Sequence, residues 1–279
     1  MLEALDYQFM RYALVAAVFT GLAAPAIGTF LVQRRLALLG DGLGHVALTG
    51  VALGLLTNVA PTITAVVVAA LGAVLIELLR MNGRTSADVA LAMLFYGGIA
   101  GGVLLTNLAG ESANSLNAFL FGAITTVDAA DLWLVGALGV VVIVLSLGLS
   151  PQLFAVCQDE EHAKVSGVPV RAYSILIAVL AAVTITVAMR TVGLLLVSAL
   201  MVVPVAASQQ LTRSFRTTHL AAMLIGLFAA VGGLFTSYEI DTAPGPTIVM
   251  IALVVFGLAS LAAAVLARTR SRRHRVHSI

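Results

Sequence analysis

The chain carries little charge: Asp, Glu, Lys and Arg together make up only 10% of its 279 residues, and Lys164 is the single lysine. Soluble globular domains carry about 25% charged residues, so a water-soluble architecture is excluded. The single cysteine, Cys157, rules out an internal disulfide and is expected to be inert packing. A phosphate-binding loop needs Gly-Lys followed by Ser or Thr, whereas Lys164 follows Ala163, so the chain does not bind ATP in that way. None of the five histidines begins a His-Glu-x-x-His motif, which removes the zinc-protease reading. A serine protease built on Ser198 and His219 is compatible with their spacing, but nothing else supports one. The opening MLEALDYQF lacks the basic leader of a secretory signal, and the chain is expected to be mature from Met1.

What is present is apolar sequence, 61% of all residues. A membrane-crossing helix needs roughly 20 mainly apolar residues, because each rises about 1.5 Å through a layer about 30 Å thick. Apolar runs lie at 11–32, 36–57, 61–79, 87–109, 131–150, 172–189, 191–211, 217–237 and 246–267. Breaks such as TNVAP, RMNGRTS, TRSFR and TAPGP separate them with turn-forming residues. The expected fold is an all-α integral membrane protein, a single polytopic helical bundle over 1–279 with about nine spans. Eight is the alternative, with 191–211 as the place where the count would fail.

Basic residues mark the cytoplasmic side of membrane proteins. Placing the basic tail, 268–279, inside and alternating nine spans puts Arg34, Arg35, Arg80, Arg84, Lys164, Arg171, Arg213, Arg216 and five tail arginines inside. Only Arg11 and Arg190 fall outside, so the N-terminus is expected outside and the C-terminus in the cytoplasm. The outer connection 110–130 is apolar enough to lie in the interface or re-enter the bundle. The inner connection 151–171 reads as a short charged helix bracketed by Pro151 and Pro169 and ended by Gly167.

Ionisable groups inside a bilayer are costly and normally face a cavity or another helix. Asp41 and His45, four residues apart, share one helix face, roughly 10 to 15 Å into the membrane when counted from Arg35. A carboxylate with an imidazole suits zinc, manganese or ferrous iron. The other reading is a buried Asp–His hydrogen bond that locks helices together. Two ligands do not complete a metal site, so a second copy of the chain or water would supply the rest. Gly40, Gly42 and Gly44 would let another backbone approach. Glu77 and Asp88, near Arg80 and Arg84, read as salt-bridge or headgroup partners. Glu239 and Asp241 form an outer carboxylate pair able to receive a cation, or else a solvated loop.

The string RRLALLGDGLGHVALTGVALG, residues 34–54, closely resembles the signature of metal-uptake ABC permeases. The resemblance continues in GRTSADVALAMLFYGGIAGGVLL, DEEHAKVSGVP, TVGLLLVSALMVVPVAAS and DTAPGPTIVM, in the family's order over nearly the whole chain. It implies a type II ABC importer-like permease of a bacterial cell membrane, not an enzyme. It further implies a homodimer that works with two copies of a separate ATPase and an extracytoplasmic metal-binding protein, in the bilayer and without nucleic acid. Asp41 and His45 then match the metal-coordinating pair, and no cofactor is permanently bound. Asp159 to Gly167, with Glu160, Glu161, Ala163 and Gly167 among them, match the helix that docks on the ATPase. The family string has Ser before the His and Leu-Pro-Gly after it, where this chain has Gly44 and then Leu48, Thr49 and Gly50. This variant resembles zinc-type more than manganese- or iron-type permeases. A proton- or sodium-coupled carrier using Asp41 and His45 as a relay is the rival, and would need no partner.

Overall fold

The structure, a computed structural model, describes residues 6–81, 86–110, 119–120, 122, 129–189 and 192–276. Its elements are α1 Gln8–Gln33, α2 Leu39–Thr57, α3 Pro61–Met81, α4 Ala87–Ala109, α5 Ala129–Gly148, α6 Ser150–Gln158, α7 Glu160–Val165, α8 Val170–Met189, α9 Leu194–Leu211, α10 Phe215–Glu239 and α11 Pro244–Val276. The breaks have local causes. Arg35 and Asn58 take left-handed conformations (φ 60° and 57°) at either end of α2, and Pro61 opens α3. Ser86 caps α4 by accepting a bond from the Val89 amide, and Ser214 caps α10 through the Thr217 amide.

The expected nine spans are corrected. Seven helices among the described residues are long and apolar enough to cross, and an eighth crossing requires taking α5 and α6, bent by 69°, as one broken span. The shortfall falls in the 191–211 segment. Gly193 (φ 87°) interrupts the chain there, and α9 follows it as a short helix of 18 residues, Leu194–Leu211. The break is no surface loop, since Met189, Val192 and Leu194 around it are all buried. Non-helical backbone is tolerated at membrane depth only where protein covers it. Here the Val192 and Gly193 amides still donate to the Ala188 and Met189 carbonyls at 2.9 and 3.1 Å. Arg190, Arg84 and most of the outer connection 110–130 lie outside the described residues. The basic tail continues the backbone of α11 as far as Val276.

Helices α1, α2 and α8 form the centre, with 72%, 61% and 67% of their apolar windows buried, while α4 and α11 at 22% are peripheral. α1 and α10 run antiparallel. Phe30 lies tilted against Phe215, centroids 5.5 Å apart, Gly21 meets Gly226 and Ala230, and Met10 clusters with Leu234. One end of the bundle therefore carries Arg34, and the other the start of α1 together with Glu239 and Asp241.

Candidate metal site and charged connection

Asp41 lies in the first turn of α2, where the helix dipole favours negative charge, and His45 one turn further on. The helix begins only at Leu39, because the left-handed Arg35 turns the chain first. The two residues thus stand about 3 and 9 Å above the start of α2 by the helical rise. Both are partly buried. Asp41 opens onto a cavity of about 470 Å³ that Asp88, Leu91, Phe95 and Tyr96 of α4 also line.

The His45 ring packs edge-on against Phe95, centroids 4.6 Å apart. Its buried Nδ1 has no hydrogen-bond partner. Among the described residues no hydrogen bond joins it to Asp41, so the locked Asp–His reading loses its basis and a ligand-capable nitrogen stands unused. Helix α4 is held against this point by the Thr49 hydroxyl, which donates to the Gly98 carbonyl at 2.7 Å. A side chain on Gly98 would bring its Cβ within 2.7 Å of the His45 backbone. Gly98→Ala is therefore expected to cost about 1–3 kcal/mol by overpacking and to shift His45, lowering the melting temperature. Gly97→Ala, with open space around it, is the neutral control. The nearest neighbours of Gly40, Gly42 and Gly44 are the side chains of Ser198, Leu94 with Leu91, and Leu194 respectively.

The structure brings together some predicted residues and separates others. Asp88, expected among headgroups, is exposed but lines the Asp41 cavity. Glu239 and Asp241 are exposed around the α10–α11 turn at the far end of the bundle, outside that cavity. The Ser198 hydroxyl has no partner, while His219 faces Ser146 at 3.4 Å and the rings of Phe30 and Phe215. The structure thus gives the Ser198–His219 pair no support.

The connection 151–171 folds as two helices. Pro151 starts α6, and Asp159 caps α7 by accepting from the Glu161 and His162 amides at 3.0 and 2.9 Å. Gly167 (φ 82°) ends the segment as expected. Ala163 is buried, whereas Glu161, Lys164 and Val165 face outward, Val165 with 88% of its surface exposed. Glu160 turns inward. Its Oε1 accepts from the Arg34 guanidinium and, at 3.1 Å, from Arg80. Both arginines also reach Glu77, at 3.7 and 2.7 Å. Burial pushes the Glu160 carboxyl up, but Arg34 and then Arg80 pull it further down, to below the ordinary carboxylate range. Its pairing is thus present above the ordinary carboxylate pKa and is lost only as pH falls through that lowered value. Sequence reasoning paired Glu77 with Arg80 but missed Arg34, because the 126 residues between Arg34 and Glu160 leave no local signal.

A multi-pass helical bundle with an ionisable pair on a central helix and an exposed charged helix at one end is the architecture of a membrane transport subunit. The profile of the ABC 3 transport family matches residues 6–263, and the chain belongs to that family. It is accordingly a transporter permease and not an enzyme. It is 30% identical over 251 residues to the manganese import system permease protein ScaB of Streptococcus gordonii, covering 90% of each chain. It is 29% identical over 253 residues to the high-affinity zinc uptake system membrane protein ZnuB of Haemophilus influenzae, covering 90% of this chain and 97% of that one. The solved structure of PsaBC from Streptococcus pneumoniae in complex with Fab aligns with a TM-score of 0.83 at 30% identity, over 93% of this chain and 95% of that one.

Proposed function

We propose that this chain is the membrane-spanning permease of a bacterial ABC importer for a divalent transition metal, manganese or zinc, with Asp41 and His45 holding the ion as it crosses. The observation that carries this reading is the unpartnered His45 Nδ1 one turn from Asp41, in a chain similar to metal-import permeases. A borderline ion stripped of water needs anionic or imidazole ligands, yet must be released again, which favours a sparse site. The leaning toward zinc gains no support, since similar relatives are named for manganese and for zinc at nearly equal identity.

The remaining ligands come from water or from a second copy of the chain. Among the described residues no group of three or more His, Cys, Asp or Glu is placed to hold a metal, and the peripheral α4 wall of the cavity leaves room for a homodimer partner. ATP is bound by a separate subunit, present in two copies, that docks on the outward face of α7 through Glu161, Lys164 and Val165. The end carrying Arg34, Arg80 and α7 faces the cytoplasm. The N-terminus then lies outside, where an extracytoplasmic binding protein delivers metal past Glu239 and Asp241. The transported metal is cargo, not a cofactor.

The test is uptake of manganese and of zinc into proteoliposomes holding the permease, its ATPase and its binding protein. ATP-dependent accumulation of one of the metals is expected. Accumulation by the permease alone, driven by a proton or sodium gradient, would overturn the proposal in favour of a secondary carrier.

A further inference from the structure

Besides the buried Ala163, helix α7 meets the bundle through a charged residue, Glu160. Glu160, 48% exposed at its side chain, receives Arg34 and Arg80, and both arginines continue to Glu77. Exposure falls along this chain of charges, from 48% at Glu160 to 23% at Arg80 and 3% at both Arg34 and Glu77. The Arg34 guanidinium also donates to the Ser174 hydroxyl of α8 at 3.0 Å. One side chain thus joins α7, α3 and α8 to the end of α1. Immediately after it, Arg35 takes its left-handed turn and the chain enters α2, whose first turn carries Asp41. Beside this contact, the Gln33 amide donates to Gln158 at 2.8 Å, on the residue that ends α6.

A buried guanidinium cannot shed its charge and cannot be left without an anion at small cost. When Glu160 moves, Arg34 has two discrete choices: to follow Glu160, or to fall back on the sealed Glu77. Elements with two discrete arrangements are the ones able to carry a displacement from one site to another. We infer that Arg34 is a positioning residue which, held between Glu160 and Glu77, passes the movement of α7 to the α1–α2 turn and so to Asp41. This inference rests on α7 being the segment that docks on the ATPase.

The experiment measures metal imported per ATP hydrolysed, in liposomes containing the complete transporter, for Glu160→Gln, Arg34→Gln, Arg34→Lys and the Glu160→Gln/Arg34→Gln double variant. ATP hydrolysis is expected to stay within about twofold of wild type, while metal imported per ATP falls at least about tenfold in each glutamine variant. The double variant should lose no more than the worse single one, because both remove the same link. Arg34→Lys, which keeps the charge but not the fork, should recover part of the yield. An unchanged yield per ATP in Glu160→Gln would overturn the inference, and so would losses that multiply in the double variant. If Arg34→Gln fails to assemble, Glu160→Gln, altered at a half-exposed position, carries the test alone. Val165→Asp, on the outward face of α7, separates the two ideas. If it assembles with the ATPase and pumps normally, α7 is not the docking segment and the inference falls with that reading. If it blocks assembly while Glu160→Gln couples normally, only the role of Arg34 is lost.

Discussion

Asp41→Ala and His45→Ala are each expected to reduce ATP-dependent metal uptake by at least about a hundredfold, since even residues behind metal ligands typically alter affinity 10- to 100-fold. The physical reason is the sparseness of the site. Within one chain the two side chains stand on a single helix face, and removing either leaves one protein ligand to replace the ion's hydration shell. The variants should still assemble with the ATPase, because neither residue lies near α7 in the network of charges. The measurement is uptake of radiolabelled manganese and zinc alongside size-exclusion analysis of the complex. Normal uptake by both variants would make the pair structural and move the search to Asp88, which shares the cavity.

Glu77→Leu is expected to cost about 3–5 kcal/mol of stability, the range for breaking one member of a buried ion pair. Glu77 is the innermost anion of the network. Its Oε1 and Oε2 receive the forked Arg80 at 2.7 and 3.1 Å, and it faces Arg34 across 3.7 Å. Leucine is of similar size and apolar, so the loss comes from two cations left facing each other, one of them almost sealed from solvent. A thermal unfolding series in detergent should show a markedly lower midpoint for Glu77→Leu and a much smaller change for Glu161→Gln, which is exposed. Equal midpoints would mean that Glu160 and solvent suffice to neutralise both arginines.

Much of this protein was legible without a fold. Long apolar runs with so little charge admit one class of structure, since backbone groups in hydrocarbon must bond within their own helix. The four-residue spacing put Asp41 and His45 on one face, and Pro151, Asp159 and Gly167 delimited the charged connection, because caps and breakers act locally. Of the two span counts the higher one, nine, gave way at 191–211, the place already marked for it, where burial rather than composition decides. The apolar string 191–211 reads as a full crossing, but the break at Gly193 is covered by neighbouring helices that the string does not reveal.

The sequence by itself determined what is local or periodic: the helix-forming runs, their ends, and the four-residue spacing that puts Asp41 and His45 on one helix face. Only the tertiary structure decided what depends on contacts between distant segments. It alone put Asp88 on the same cavity as Asp41, left His45 Nδ1 without a partner, and turned Glu160 inward to Arg34 while Val165 points out. A side chain's partner across 126 residues is fixed by how helices pack, and no spacing rule within one helix carries that information.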